Sequence, residues 1–355
     1  MKMIHCGDIH LDSRMESNLD REKARERNAE ICATFTRMIR WGLERGVKAV
    51  LIAGDLFDTA RVSGQTVQFV LDRIREAEGM DFLYLRGNHD ENRNLFEGME
   101  LPENLKTFGD RWTSFRYGDV VISGVEPENW ESFYDELELS PEDTNIVMLH
   151  GQIAAQSGPE LISLPKLRNK HIRYLALGHI HSYQLEKLDL EGQWCYCGCL
   201  EGRGFDELGQ KGFVLLEAER GRVKSEFVPF AGRTMEEVSV DITGLTTVTQ
   251  ILSAMERAGA GVSASSLVKF TFTGTHTLDT QLDVRFLRKM LESRYYFVKI
   301  KDESHLEIAR EDYEHDISLK GEFIRMVLAS DKTDDEKERI IRFGIQALLG
   351  QEVEA

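Results

Sequence analysis

Val47-Lys48-Ala49-Val50-Leu51-Ile52-Ala53-Gly54-Asp55-Leu56-Phe57-Asp58 is an apolar run that stops abruptly at a glycine and a carboxylate. A near-continuous apolar run of this length is the pattern of a strand covered on both faces. The same punctuation recurs on both sides of it. Met3-Ile4-His5-Cys6-Gly7 leads to Asp8, and Phe82-Leu83-Tyr84-Leu85 leads to Arg86-Gly87-Asn88-His89-Asp90. Asn145 to Leu149 leads to His150-Gly151, and Tyr174 to Leu177 leads to Gly178-His179-Ile180-His181.

Helical patterns separate the early runs. Ile31, Phe35, Met38, Ile39 and Leu43 recur at helical spacing between Asn18 and Arg45, as do Val67, Val70, Leu71 and Ile74 between Ser63 and Glu78. Strand–helix–strand alternation predicts βαβ units and a largely parallel sheet, whose ligands gather at the carboxyl ends of the strands. All five polar clusters lie at such ends, so one sheet edge is expected to unite them. From Tyr117 to Val125 and from Trp194 to Val228 the pattern changes to short extended segments with glycine turns. These are expected to form a second, partly antiparallel sheet packed on the first.

A boundary is expected near Pro229 to Arg233, dividing residues 1–232 from a smaller α/β unit over 233–312. In that unit Val238 to Asp241, the alternating Val268, Phe270 and Phe272, and Tyr295 to Ile300 read as strands. Thr249 to Arg257 and Leu282 to Ser293 read as helices. A helical segment completes the chain over 313–355, opened by the capping-box pattern Thr333-Asp334-Asp335-Glu336 and followed by Ile340, Ile341, Phe343 and Leu348.

The 355 residues carry a net charge of −17, which argues against broad, non-specific coating of nucleic acid. A nuclease stays open, because bound divalent cations reverse the sign of a site locally. No stretch approaches the ~20 apolar residues of a membrane span. With no signal peptide recognisable at the start, the expectation is a cytoplasmic protein with no membrane association. The five cysteines (Cys6, Cys32, Cys195, Cys197 and Cys199) are odd in number, so a disulfide framework is not expected. Cys195, Cys197 and Cys199 read as small residues about a turn rather than a metal or redox site, and Cys6 as a residue packed in its strand.

The strand ends collect Asp8, His10, Asp55, Asn88, His150, His179 and His181. Asp8 and His10 are two apart, as are His179 and His181; on an extended strand end such residues point the same way. Imidazoles, carboxylates and one amide oxygen, without a thiolate, suit Mn, Fe, Zn or Mg. Seven ligands are too many for one ion with open positions and suit two ions ~3.5–4 Å apart. Asp55 is placed to bridge them. A hydroxide held by both ions is the natural nucleophile, because coordination lowers the pKa of water toward neutrality. His89 is the candidate general acid or transition-state stabiliser, with Asp58 as its carboxylate partner.

Together, Gly7-Asp8-Ile9-His10, Gly54-Asp55-Leu56-Phe57-Asp58, Gly87-Asn88-His89-Asp90, His150-Gly151 and Gly178-His179-Ile180-His181 resemble the signature of the calcineurin-like metallophosphoesterases. Each motif alone is weak; five in order are specific. Within that superfamily the chain looks most like the SbcD-type DNA repair exonuclease subunit and its archaeal and eukaryotic double-strand-break relatives. The resemblance covers residues 1–232 well and the rest loosely. It implies a four-layer α/β/β/α sandwich with a small C-terminal α/β capping domain, two Mn²⁺ ions, DNA as substrate, a homodimer, and an SMC-like ATPase partner of the SbcC type. Carried onto this chain, it makes Asp8, His10, Asp55 and His181 the ligands of one ion. Asp55, Asn88, His150 and His179 would hold the other, with His89 catalytic. The cap would guide DNA, and the helices of 18–45 and 63–78 are candidate dimer surfaces. Two departures stand out: the archaeal and eukaryotic relatives have His where Asp58 stands, and Cys195 to Arg203 resembles a family loop usually written Pro-Gly-Ser but carries unusual cysteines.

Arg61, Arg86, Arg93 and Arg203 flank the motifs and could grip substrate phosphates or simply be solvated; Arg86, Arg93 and Arg203 are the candidate substrate contacts. Tyr183 and Phe205 could stack on a base, but read rather as core or rim packing. His5, His171, His276, His305 and His315 stand apart from the motifs and read as structural or surface residues. Two other functions compete with a nuclease. A small-molecule or protein phosphatase on the same fold is favoured by the acidic charge; a non-catalytic metal-binding scaffold for an ATPase would need its ligands for folding alone.

Overall fold

The computed structural model describes residues 1–15, 19–58, 62–90, 95–96, 98–130, 132–156, 158–307 and 313–348. The chain forms two compact units, Met1–Thr234 and Met235–Ala355.

The first unit opens with β1 (Lys2–Cys6), α1 (Arg21–Glu44), β2 (Ala49–Ala53), α2 (Gly64–Glu76), β3 (Asp81–Leu85) and β4 (Leu105–Thr107). Each helix starts where the sequence supplies a cap: Asp20 accepts from the Lys23 amide and Ser63 from the Thr66 amide. The apolar stripes of both helices are buried, through Ile31, Phe35, Met38 and Ile39 on α1 and Val67, Val70, Leu71 and Ile74 on α2.

Next come β5 (Thr113–Tyr117), β6 (Val120–Gly124), a 3₁₀ turn (Phe133–Glu136), β7 (Thr144–His150), the two-residue strands β8 (Gln152–Ile153) and β9 (Leu161–Ile162), and the helical turn α3 (Leu164–Leu167). The unit closes with β10 (Ile172–Gly178), β11 (Gln184–Lys187), β12 (Gln193–Tyr196), β13 (Gly212–Glu219) and β14 (Arg222–Pro229).

The sheet orders are β14-β13-β1-β2-β3-β4 and β11-β12-β10-β7-β6-β5. The expected division of strands between the sheets is therefore corrected in two places. The strands ending at His150 and Gly178 belong to the second sheet, so five polar clusters meet across two sheets rather than on one edge. The strands between Gly212 and Pro229 return to the first sheet, where β13 pairs antiparallel with β1. An apolar run shows that both faces are covered but not which neighbour covers its edge. Arg220 and Gly221, both with positive φ (50° and 75°), make the two-residue turn of the β13–β14 hairpin.

One core lies between the sheets: Met3, Ala49, Leu51, Leu83, Val214 and Leu216 of the first meet Ile122, Ile146, Met148, Tyr174 and Cys195 of the second. On the other face of the second sheet, Val147, Leu149, Leu175 and Leu177 pack with Phe133, Tyr134 and Leu167 from the 3₁₀ turn and α3. The unit is an α/β sandwich whose layer outside the second sheet is built from short helical turns.

In the second unit β15 (Met235–Asp241), α4 (Val248–Ala258), β16 (Leu267–Thr273), β17 (Thr275–His276), α5 (Val284–Leu291), β18 (Phe297–Asp302) and β19 (His305–Leu306) precede α6 (Leu319–Leu328) and α7 (Asp334–Leu348). The strands β15, β16 and β18 form a parallel sheet. Val268, Phe270 and Phe272 are buried against Ile251, Met255 and Leu287. The capping box at Thr333 is present: its amide and hydroxyl donate to Glu336, whose amide donates to the Thr333 hydroxyl. Ile324 and Val327 pack on Ile341 and Ile345, while Leu348 is exposed. Among the described residues, no helix is long and apolar enough to cross a membrane.

Candidate metal centre

The first two polar loops are zipped together by their backbones. The amides of Asp8 and His10 donate to the carbonyls of Gly54 and Asp55, each at 3.0 Å. Asp8, His10 and Asp55 have φ of 48°, 50° and 49°, and His179 has φ of 97°. The i and i+2 alignment expected of an extended strand end therefore does not apply here. Left-handed turns just past the strands aim these side chains instead, a conformation that costs on the order of 1 kcal/mol or more per residue and clusters at functional sites.

Asp8, His10, Asp55 and His150 are buried. Asp8, His10 and His181 bring ligand atoms together, and so do Asp8, Asp55 and His150. Asp55 Oδ2 stands 3.8 Å from His10 Nε2 and 3.5 Å from His150 Nε2, between the two groups. Asn88 Oδ1 lies 2.9 Å from His150 Nε2 and 3.3 Å from His179 Nδ1. The seven strand-end residues thus converge, although β1, β2 and β3 lie in one sheet and β7 and β10 in the other.

The protonation pattern indicates what these residues can hold. His10 Nδ1 faces Asp58 Oδ1 at 2.9 Å, His181 Nδ1 faces Glu207 Oε1 at 2.7 Å, and His150 Nδ1 faces the Ala53 carbonyl at 2.9 Å. A carbonyl or carboxylate oxygen can only accept, so the tautomer that suits each contact has its proton on Nδ1, which would leave Nε2 as a bare lone pair; the contact is a hydrogen bond at His181 and His150 and a close approach at His10. His10 Nε2 and His181 Nε2 then face one another at 3.2 Å, and His150 Nε2 faces the Asn88 carbonyl oxygen. Acceptors aimed at acceptors beside two buried carboxylates fit divalent cations. Burial and the Asp55 charge push the Asp8 carboxyl well up, as expected of a carboxylate whose positive partner is a cation. Burial likewise holds the His10 imidazole down to about 4 and lowers that of His150, keeping both neutral and ready to ligate.

His89 sits at the open side, its side chain 44% exposed. Its amide donates to Asp55 Oδ1 at 2.9 Å, and its ring meets that of His10 edge to face at 4.9 Å. Its expected partner, Asp58, is 3.5 Å from His89 Nδ1 but 2.9 Å from His10 Nδ1. The Asp58 carboxylate thus serves His10 first. Burial raises its pKa, but hydrogen bonds from His10 and Ser13 and the Arg203 charge outweigh this and hold it down to about 2.

Arg86 and Arg203, expected on substrate phosphates, both give their guanidinium groups to carboxylates. Arg86 is clamped on Glu126 through Nε (2.8 Å) and a terminal nitrogen. Arg203 spans Asp58 (2.7 Å) and Glu207 (2.9 Å). Arg61 and Arg93 lie outside the described residues. Cys195, Cys197 and Cys199 are buried free thiols about the turn at Gly198 (φ 72°), and burial raises the pKa of each. Tyr183 stacks on Phe227 at 4.6 Å, and Phe205 is buried. Of the histidines outside the motifs, His5 is buried with Nδ1 on the Tyr174 hydroxyl, and His276 pairs with Ser304.

Two residues at the site escaped the sequence reading. Asp90 is buried and accepts from the amides of Leu56, Phe57 and Gly87, locking the second loop to the third. Its place in Gly87-Asn88-His89-Asp90 was the available signal. Glu207, on His181, lies four residues past Arg203 in a glycine-rich loop. An acidic residue in such a loop ordinarily reads as solvated.

A family model described as calcineurin-like phosphoesterase matches residues 1–183. Among curated proteins, an uncharacterized metallophosphoesterase, YhaO of Bacillus subtilis, is 28% identical over 277 residues, covering 72% of this chain and 67% of its own. The DNA double-strand break repair protein Mre11 of Methanopyrus kandleri is 27% identical (64% of this chain, 56% of its own), and that of Aeropyrum pernix is 24% identical (74% and 69%). The chain thus spans between about half and two thirds of the length of these relatives. A solved dimetal phosphatase from Danio rerio aligns with a TM-score of 0.41 and 11% identity, over 65% of this chain and 99% of its own.

Proposed function

Because the chain belongs to the calcineurin-like phosphoesterase family and is thereby a metallophosphoesterase, we propose that it is a dinuclear phosphodiesterase acting on DNA. The observation that carries the two-ion reading is the pair of ligand groups that share Asp8, with Asp55 Oδ2 between His10 and His150. Asp8, His10, Asp55 and His181 would hold one ion, and Asp55, Asn88, His150 and His179 the other. Bound divalent ions, Mn²⁺ in this reading, supply an activated water and neutralise phosphoryl charge.

The chain's own residues do the rest. Ala53 and Asp58 fix the tautomers of His150 and His10, so that both present Nε2. The Asp55 carboxylate is held from behind by the His89 amide. His89, with Nδ1 toward the Asp58 carboxylate and carbonyl (3.5 and 3.4 Å), would carry a proton on Nε2 for the leaving oxygen. Support for DNA comes from the relatives named as double-strand break repair proteins and from the SbcD resemblance. An SbcC-type ATPase partner and a homodimer belong to the same reading, as does a cytoplasmic location. The net charge of −17 favours the rival, a small phosphodiester substrate.

The test incubates metal-stripped protein with end-labelled linear DNA and a simple aryl phosphodiester, with Mn²⁺, Mg²⁺ or neither. Mn²⁺-dependent shortening of DNA supports the nuclease. Hydrolysis of the aryl ester with DNA left intact transfers the substrate to the rival reading.

A further inference from the structure

A closed ring of side chains runs behind one of the two proposed ions. His10 Nδ1 faces Asp58 Oδ1 at 2.9 Å, and Asp58 Oδ1 accepts from one terminal nitrogen of Arg203 at 2.7 Å. The other terminal nitrogen donates to Glu207 Oε1 at 2.9 Å, joined by Nε at 3.2 Å. Glu207 Oε1 takes the His181 Nδ1 proton at 2.7 Å, and the ring closes where His181 Nε2 meets His10 Nε2 at 3.2 Å. The Arg203 amide also donates to Glu207 Oε2 at 2.7 Å, so the carboxylate is gripped by side chain and backbone of one residue.

The other proposed ion's ligands are anchored differently. His150 is oriented by the Ala53 carbonyl, and Asn88 Oδ1 lies against the rings of His150 and His179 at 2.9 and 3.3 Å. Neither Arg203 nor Glu207 touches His150.

We infer that Arg203 and Glu207 are positioning residues for one ion only, the one at His10 and His181, with Arg203 setting the separation of the two imidazoles through its two carboxylates. Arginine suits this task because its planar fork fixes two acceptors at once, which the point charge of lysine cannot do. Outer partners of metal-ligating histidines typically contribute about 10–100-fold in metal affinity. That loss is expected here at one site and not at the other. The inference rests on the two-ion reading above.

The experiment is Mn²⁺ binding to the full chain, followed by calorimetry and electron paramagnetic resonance, for wild type, Arg203→Ala, Arg203→Lys and Glu207→Gln. Wild type should bind two Mn²⁺ with the spectrum of an exchange-coupled pair. Arg203→Ala should keep one site near wild-type affinity, weaken the other 10–100-fold, and show an isolated Mn²⁺ spectrum at one equivalent. Should Arg203→Ala fail to fold, Arg203→Lys keeps the charge without the fork and carries the same expectation. Glu207→Gln still accepts from His181 and should fall between. Two equal losses, or none, in a folded Arg203 variant overturn this inference and leave the two-ion reading standing. A wild type that binds fewer than two Mn²⁺ overturns both.

Discussion

Gly178 and Ala53 touch backbone to backbone across the two sheets: a Cβ on Gly178 would stand 1.8 Å from the Ala53 carbonyl oxygen and 2.9 Å from His150 Nδ1. The same carbonyl accepts from His150 Nδ1. The sheets therefore approach each other closely at the group that faces Nδ1 of a candidate ligand. Gly54 is under the same constraint, since its Cβ would fall 2.0 Å from His150 Nδ1 at a φ of 89°.

Gly178→Ala should accordingly act on stability and metal together. Overpacking of this kind costs typically about 1–3 kcal/mol. We expect a lower urea midpoint and weaker Mn²⁺ binding in titration. A variant with wild-type midpoint and affinity would mean that the sheets separate freely at this point.

His89→Ala should separate chemistry from binding. His89 lies at the open side, and its amide, which survives the substitution, makes the bond to Asp55. Turnover of an aryl phosphodiester should fall about 10²–10⁴-fold, the usual contribution of a positioned proton donor. Mn²⁺ stoichiometry measured by equilibrium dialysis should not change. Loss of metal in this variant would make His89 a ligand instead.

His5 makes the fold sensitive to acid. Burial between the sheets lowers its pKa from 6.5 to about 3. The unfolded chain then binds the proton that the folded chain refuses, so stability is complete above pH 6.5 and is lost as pH falls toward 3. At about 1.4 kcal/mol per pKa unit the whole window is worth up to roughly 5 kcal/mol. Urea unfolding of metal-free protein at pH 7 and pH 4.5 should show a smaller loss for His5→Gln than for wild type. Parallel losses would place the acid sensitivity elsewhere.

Arg27 and Glu201 form a buried ion pair at 2.9 Å, both side chains fully inaccessible. Thr34 and the Gly232 amide also donate to Glu201, and Arg27 donates to the Gly202 carbonyl as well. Removing Glu201 leaves Arg27 with Glu30 and the Gly202 carbonyl but takes away the buried acceptor shared by Arg27, Thr34 and the Gly232 amide, so Glu201→Ala should cost about 1–3 kcal/mol in chemical denaturation. Arg27→Met combined with Glu201→Gln should recover part of that loss. A double variant as unstable as the sum of the singles would show that the pair itself contributes nothing.

The placement of the seven candidate ligands at strand ends was legible because each follows an apolar run. Membership of the sheets was not. Phe213 to Leu216 and Ile146 to Leu149 are equally apolar, and only the pairing of His5 with Val214 and of Gly124 with Met148 assigns them to different layers. The roles of the arginines were hidden for a related reason. Arg86 and Arg203 look like phosphate contacts until Glu126 and Glu207 are seen to take them up from 40 and 4 residues away.

The pairing of β1 with β13 also bears on how the protein is made. Met1 and Ala218 lie side by side although they are 217 positions apart. Chains emerge from the ribosome N-terminus first, so the outer edge of β1 stays bare while nearly all of the first unit is synthesised. A bare edge of apolar strand is a template for wrong partners. His181, the last of the candidate ligands, also emerges before Gly212–Glu219. A nascent chain therefore holds every candidate ligand before the sheet that presents four of the seven is complete. Metal captured at that stage would find its ligands without the frame that spaces them, and the segment that ends this interval supplies none of those ligands itself.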